Sequence, residues 1–193
     1  MAPSLLDHTA ADLLALFAAG KNTPGAGSAA ALTGALAGSL LEAVARYTIR
    51  AAAKGEAYAS FQERAEVLLS EVSERSRRLS LAADEDVEAF QRFWREKTSE
   101  NLEAAVEVPV GIAEECAALA EIGIELREHG FKAARGEAAT AVMLAVASGE
   151  AALLVADLNL KFAGTAAWVG PLEERMRSLR ARLGELAVRA RQV

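Results

Sequence analysis

Apolar side chains recur every three or four positions along almost the whole chain, which is the period of an α-helix. Glycines, prolines and polar runs divide this pattern, which predicts helices over residues 10–19, 28–53, 57–83, 109–130 and 137–160 and from residue 171 onward. No stretch alternates apolar and polar residues as a half-buried strand does. We therefore predict an all-α fold, and since no linker or repeat divides the chain, residues 1–193 are expected to form a single helical domain.

Two of these helices are rich in alanine and glycine and poor in charge. Residues 23–41 carry no charged side chain, and Gly34 and Gly38 would let another helix backbone approach closely. This segment has too few large apolar residues for stable insertion into a membrane. We therefore predict that helices 28–53 and 137–160 are buried, either at the centre of a bundle of long helices or along a seam between subunits.

The helix over residues 57–83 is amphipathic and is expected to be exposed, with an apolar stripe between charged residues. Asp84-Glu85-Asp86 either interrupts the helix that begins near residue 57 or begins a new turn, and an aromatic group at residues 90, 93 and 94 follows. Pro109 is placed in a first helical turn, where its missing N–H costs little. The last helix repeats its leucines and methionine at spacings of four and three, which predicts a partner helix.

Composition and charge narrow the function classes. Hydrophobic residues make up 52% of the chain and aromatic residues only 5%, and the net charge of −6 argues against a general nucleic-acid binder. Cys116 lies in an apolar helical pattern, which indicates a core residue rather than a nucleophile. The chain opens without the basic and apolar regions of a signal peptide, so the expected location is the cytoplasm.

The segment Thr23-Pro24-Gly25-Ala26-Gly27-Ser28 is the candidate ligand site. Pro24 fixes φ, the glycines relax the backbone, and Ser28 is a residue that caps helices. One interpretation is a rim of N–H groups that binds a phosphate or carboxylate at the start of a helix. The alternative is a turn followed by a cap. The segment has neither the lysine of a phosphate-binding loop nor a preceding strand.

Other catalytic or metal-binding signals are sparse. With two histidines and one cysteine in the chain, a His/Cys metal site has little support, and we expect no metal. Asp84, Glu85 and Asp86 point in different directions if they lie on one helix, which favours a solvated cluster over a magnesium site.

The sequence resembles the cyclodeaminase/cyclohydrolase family, whose members include a formiminotetrahydrofolate cyclodeaminase domain and a methenyltetrahydrofolate cyclohydrolase. Its P-G-G-G-S-x-A-A-L-x-G-A-L signature is similar to Thr23–Leu32 with Gly34–Leu36 and the following Thr48. Later segments agree in order with its D-x-x-A-[FY], V-P and Asn-Leu elements, at Asp86–Phe90, Val108–Pro109 and Asn159–Leu160. The resemblance implies an all-α homodimer that acts on a one-carbon unit of tetrahydrofolate, without metal, nucleotide or other cofactor.

The resemblance also implies roles for individual residues. Asp86 is the expected acid/base group, and its alternative role is to cap a helix start. The turn is expected to bind substrate through Pro24, Gly25, Ala26, Gly27 and Ser28. Asn159 either hydrogen-bonds the edge of the pterin or satisfies a buried backbone group.

Two positions depart from the family pattern. Ala26 replaces the second glycine of the triplet, which would cost on the order of 1 kcal/mol if that position needs a positive φ. The family's G-N-x-N-x-x-S-D segment corresponds to Gly130–Glu137, which lacks both asparagines and the Ser-Asp pair. Here Glu137 is expected to replace the catalytic acid, and Lys132 or Arg135 to bind a carboxylate tail.

The expected function is hydrolysis of 5,10-methenyltetrahydrofolate to 10-formyltetrahydrofolate. The alternatives are a formiminotetrahydrofolate cyclodeaminase that releases ammonia, a noncatalytic relative that binds folate or serves assembly, and a related enzyme acting on another small anion. A cleft that contains Asp86, Glu137 and the turn amides would favour an enzyme, whereas a turn sealed by neighbouring side chains would favour a scaffold.

Overall fold

Long helices make up most of the computed structural model, which describes residues 4–192 apart from the side chain of Glu56. The α-helices are α1 (Ala10–Ala18), α2 (Ala26–Ala52), α3 (Gln62–Arg95), α4 (Ser99–His129), α5 (Arg135–Leu160) and α6 (Val169–Arg191). Short 3₁₀ turns occupy Leu5–Asp7, Glu56–Phe61 and Lys132–Ala134, and no strand occurs in residues 4–192. The predicted all-α fold is confirmed. The single-domain assignment for residues 1–193 stays a prediction, and its ends, residues 1–3 and 193, lie outside the described part.

α2 and α5, the two helices that the sequence predicts to be buried, form the centre of the bundle together with α4. α2 packs against α3 and α5, α5 packs mainly against α4, and α6 lies against α4 and α5. Gly34 and Gly38 allow the close approach expected of them. A Cβ on Gly34 would lie 2.8 Å from Cys116 Sγ, and a Cβ on Gly38 would lie 2.9 Å from Ser76 Cβ.

The core contains a few polar groups that are paired. Ser148 donates from its hydroxyl to the Ala30 carbonyl at 2.5 Å, and Ser76 donates to the Ala35 carbonyl at 3.1 Å. Cys116 is buried, and this burial raises the pKa of its thiol to about 12. The expected core role of this cysteine is therefore confirmed.

By length and composition alone, two helical segments could cross a membrane. In Ala26–Ala52 and Lys132–Leu160 the most apolar windows are 56% and 50% buried within the protein. Core helices of soluble proteins pass the same test, so these segments are weak evidence for a membrane. The expectation that the chain does not enter a membrane stays a prediction.

Two helix boundaries differ from the sequence prediction by ten residues or more. α3 runs without a break through Asp84–Asp86 to Arg95. α4 begins ten residues before Pro109, because the Thr98 hydroxyl caps it by accepting a hydrogen bond from the Asn101 N–H at 3.2 Å. The placement of Pro109 in a first turn is therefore wrong.

Asn159 explains how α4 tolerates a proline in its interior. Pro109 has no N–H to donate to the carbonyl of Ala105, four residues earlier, and Ala105 is buried. The Asn159 side-chain amide on α5 donates to that carbonyl at 2.8 Å. The V-P and Asn-Leu elements are thus coupled, because Asn159 satisfies the carbonyl that Pro109 leaves without a donor.

We expect Asn159→Ala to lower the free energy of unfolding by about 1–2 kcal/mol, because the Ala105 carbonyl loses its donor. In a Pro109→Ala background residue 109 regains an N–H, so the same change should cost less than half as much. Urea unfolding of wild type, Asn159→Ala, Pro109→Ala and the double variant measures this coupling. Equal costs in both backgrounds would show that the amide does not compensate for the proline.

Candidate active site at the start of helix α2

The start of α2 lies against a carboxylate from the middle of α3. Gly25 is the N-cap and supplies no side chain, and Ala26 is the first helical residue, two positions before the expected start. The fully buried Ser28 donates from its hydroxyl to Asp86 Oδ2 at 3.0 Å. The anion beside this helix N-terminus is therefore the protein's own Asp86.

Gly27 is required by the close approach of Asp86 rather than by an unusual backbone angle. A Cβ on Gly27 would lie 2.0 Å from Asp86 Oδ1. Ala26 lies within the helix, and between residues 4 and 192 positive φ angles occur only at glycines. Alanine therefore replaces the family glycine at position 26 without backbone strain.

Asp86 has an environment that favours proton transfer. Burial raises the pKa of Asp86 above its ordinary value, while hydrogen bonds from the Ser28 hydroxyl and backbone N–H oppose that rise. The side chain is half-buried, so solvent or a ligand still reaches it. A carboxyl group with a raised pKa both donates and accepts protons more readily near neutral pH.

The neighbouring acids have other roles, as expected for three adjacent side chains on one helix. Asp84 accepts hydrogen bonds from the Ser4 hydroxyl at 2.5 Å and the Leu5 N–H at 2.9 Å, which ties the first 3₁₀ turn to α3. Glu85 is exposed. Within the described residues, no three His, Cys, Asp or Glu side chains cluster as metal ligands.

An aromatic cavity lies one helical turn from Asp86. Phe90 and Trp94 stack with ring centroids 5.9 Å apart and an interplanar angle of 10°. Gln91 donates to the Thr23 hydroxyl at 3.0 Å, which fixes the glycine turn beside these rings. The cavity has a volume of about 380 Å³ and is lined by Asn22, Thr23, Phe90, Gln91, Trp94 and Arg95. The sequence shows this aromatic group, and its spacing of four from Asp86 is the signal that connects it to the site.

The other predicted site residues lie at the opposite end of the bundle. Lys132, Arg135 and Glu137 are exposed at the junction of α4 and α5, where the Phe131 N–H donates to the Thr48 hydroxyl at 2.9 Å. Ser28 and Thr48 are 20 residues apart on α2, which corresponds to about 30 Å at 1.5 Å per residue.

One chain therefore does not bring Asp86 and Glu137, the two expected catalytic carboxylates, into one cleft. Lys132 and Arg135 are equally remote from Asp86. Of the two roles considered for Asn159, the structure shows the structural one, while contact with a pterin edge stays a prediction.

The fold and the sequence were compared with known proteins. The chain is similar to formiminotetrahydrofolate cyclodeaminase from Thermotoga maritima, with 22% sequence identity, a TM-score of 0.90 and coverage of 98% of this chain and 96% of that one. Comparison with curated protein sequences gave no match. The sequence model described as formiminotransferase-cyclodeaminase matches residues 9–178. Because this match covers most of the chain, the protein belongs to the formiminotransferase-cyclodeaminase family.

Proposed function

We propose that this protein is a folate one-carbon enzyme in which Asp86 transfers a proton at the one-carbon unit. The observation that carries this proposal is the position of Asp86, half-buried against the start of α2 and one helical turn from a residue that lines an aromatic cavity, in a chain of a folate-processing family. The stacked Phe90 and Trp94 rings offer an apolar surface for the pterin. The chemistry we propose uses no metal or additional cofactor, and the proposed location is the cytoplasm.

The first candidate reaction is cyclodeamination of 5-formiminotetrahydrofolate, supported by the name of the family and of the similar solved structure. In this reaction N10 attacks the formimino carbon and loses its proton, and the bond from that carbon to the formimino nitrogen breaks. The formimino nitrogen takes up two protons, one equivalent to the proton lost from N10 and one from an acid, and leaves as ammonia, so that the product is the methenyl cation. Asp86, with its raised pKa, is the acid that donates the second proton.

The second candidate is hydrolysis of the methenyl group, the reaction that the sequence favours. Water adds to the cationic carbon, the bond to N5 breaks, and 10-formyltetrahydrofolate and a proton are released. A single general base serves this reaction, and Asp86 is the carboxylate that the described residues place against the glycine turn. Its negative charge also complements the cationic substrate.

We propose further that the protein is a homodimer whose interface is the exposed side of α2 and α5. Leu36 on α2 is 57% exposed, and Leu154 and Leu158 on α5 are 60% and 47% exposed. α2 carries an apolar stripe at helical spacing, formed by Leu32, Leu36, Leu40, Ala43 and Tyr47. An apolar stripe along α2 with exposed leucines on the neighbouring α5 favours a protein interface, and a second copy would present the same apolar stripe to it.

This dimer would complete the site. A two-fold axis near the middle of α2 sets the two copies of α2 antiparallel, so the Asp86 end of one protomer meets the Lys132 and Arg135 end of its partner. The residues that are about 30 Å apart in one chain then lie on opposite walls of one cleft. Lys132 and Arg135 add positive charge on the side of the cleft where the carboxylate tail of the folate would lie.

We expect Asp86→Asn to reduce turnover at least about 100-fold with an unchanged circular dichroism spectrum, because the variant has no group that transfers the proton. Ammonia release from formiminotetrahydrofolate and loss of methenyl absorbance distinguish the two reactions. Turnover of both substrates at the wild-type rate would exclude Asp86 as the acid/base group.

The pH dependence identifies the direction of proton transfer. Ser28→Ala removes a hydrogen bond that lowers the pKa of Asp86, so that pKa rises further. If Asp86 donates a proton in deamination, activity is lost as the pH rises through this pKa, and the alkaline limb moves to higher pH. If Asp86 accepts a proton in hydrolysis, activity is lost as the pH falls, and the acid limb moves to higher pH. Identical profiles for wild type and Ser28→Ala would contradict both roles.

We expect Leu36→Glu to convert the dimer into a monomer, because the charge would be buried in an apolar interface. Size-exclusion chromatography with light scattering measures the mass. Val67→Glu is the matched control, since Val67 is a similarly exposed apolar residue on α3 outside this face. A wild-type monomer, or a Leu36→Glu dimer, would contradict the proposed interface.

The shared site predicts complementation between inactive variants. Asp86→Asn and the double variant Lys132→Gln/Arg135→Gln should each be weakly active alone, whereas an equal mixture that exchanges subunits should recover about a quarter of wild-type activity. This value follows because half of the dimers are mixed and one of their two sites is intact. Sites confined to one chain would give no recovery beyond the average of the two variants.

A further inference from the structure

A second cavity lies at the end of α2 remote from Asp86 in the same chain. It has a volume of about 590 Å³, within the range of small-molecule sites. The last two turns of α2, the 3₁₀ turn Glu56–Phe61 and the start of the α4–α5 connection form its walls. The lining residues are Tyr47, Arg50, Ala51, Lys54, Gly55, Ala57, Tyr58 and Phe131.

Three aromatic rings in this cavity are held in place by one another and by hydrogen bonds. The Phe131 ring centroid lies 6.5 Å from that of Tyr47 and 5.9 Å from that of Tyr58, in tilted and edge-to-face arrangements. The Phe131 N–H is bound to the Thr48 hydroxyl, and the Lys132 N–H donates to the Tyr58 hydroxyl at 3.2 Å. The rings therefore form a preorganised apolar wall rather than a loose surface cluster.

The same cavity holds positive charge that no described carboxylate neutralises. The Arg50 guanidinium lies 5.0 Å from the centroid of the Tyr47 ring, and Lys54 follows one turn later. Most other arginines of this acidic protein pair with glutamate or aspartate, as Arg64 does with Glu125 at 2.7 Å, but Arg50 and Lys54 make no ion pair with a side chain described in residues 4–192. Positive charge beside aromatic rings suits a ligand that is both aromatic and anionic.

We infer that this cavity binds an aromatic carboxylate, and that in the working enzyme its ligand is the 4-aminobenzoyl-glutamate part of the folate. The ring stacks among Tyr47, Tyr58 and Phe131, and Arg50 and Lys54 bind the glutamate carboxylates. The naming of this ligand as part of a folate rests on the proposed function, whereas the affinity for an aromatic anion rests on the cavity alone. In the proposed dimer this cavity lies next to the end of the partner subunit that carries Asp86. One subunit would then bind the tail of the folate while the other transfers the proton.

The test is calorimetric titration of the full chain with 4-aminobenzoyl-L-glutamate. Wild type should bind it, and Arg50→Gln/Lys54→Gln should bind it at least about tenfold more weakly, which corresponds to the loss of one charge-assisted hydrogen bond. Tyr58→Leu should also weaken binding, because it removes one of the three rings that contact the aromatic ring of the ligand. The matched control is Arg77→Gln/Arg177→Gln, which removes the same charge from exposed arginines that pair with glutamates of their own helices, and it should bind like wild type.

Thermal unfolding of each variant shows that it is folded before its affinity is compared. No binding to wild type, or equal binding to all folded variants, would overturn the inference. Binding of adenosine monophosphate in the cavity without binding of 4-aminobenzoyl-L-glutamate would overturn it too, because the ligand would then be a nucleotide.

Asp86→Asn separates this inference from the proposed function. This variant should lose turnover and keep the wild-type affinity for 4-aminobenzoyl-L-glutamate. If the wild-type protein binds the fragment through Arg50 and Lys54 but turns over neither formiminotetrahydrofolate nor methenyltetrahydrofolate, the proposed reaction is refuted and the inferred binding site is supported. If the protein turns over either folate substrate and Arg50→Gln/Lys54→Gln changes neither KM nor the affinity for the fragment, the inferred binding site is refuted and the proposed reaction is supported.

Discussion

Close approach of neighbouring helices to α2 is the constraint on which the rest of the structure depends. Added Cβ atoms at Gly27, Gly34 and Gly38 would each lie within 3 Å of a side-chain atom on α3 or α4. Because these positions lack side chains, α3 comes near enough for the Ser76 hydroxyl to bond an α2 carbonyl and for Asp86 to reach the start of the helix. The candidate site is thus a product of the same packing that forms the core, and a methyl group at position 27 would displace the acid directly.

The position of Asp86 changes how the glycine turn is understood. A helix N-terminus after a glycine turn is typical of a site for a substrate anion, but here an internal carboxylate lies beside it. Burial raises the pKa of that carboxyl, and Ser28 limits the rise. The turn therefore holds an acid beside an aromatic cavity, an arrangement that complements a cationic one-carbon unit better than a phosphate. This agrees with a family that processes folate.

The two ends of the bundle have complementary chemistry. One end combines a carboxylate with stacked rings, and the other combines Arg50 and Lys54, which pair with no carboxylate that the structure describes, with a second group of rings. α2 connects them, and it carries the apolar stripe from Leu32 to Tyr47 along its outward side. A second copy on that side would bury the exposed leucines and place unlike ends together, so a single interface would account both for the apolar surface and for the distance between the site residues within one chain.

The sequence by itself determined the helices and the burial of α2 and α5, because both depend on residues three or four positions apart, and a contiguous motif was enough to select the glycine turn and Asp86 as candidates. The start of α4 was predicted at the wrong place for two reasons. Thr98 caps this helix ten residues before Pro109, and the carbonyl that Pro109 leaves without a donor is satisfied by Asn159, 50 positions after the proline. The sequence also grouped Asp86 with Glu137, whereas the structure separates them. Only the tertiary structure decides that Asp86 lies against one end of α2 and Glu137 near the other, about 30 Å away, because this depends on the direction in which successive helices pack rather than on local periodicity.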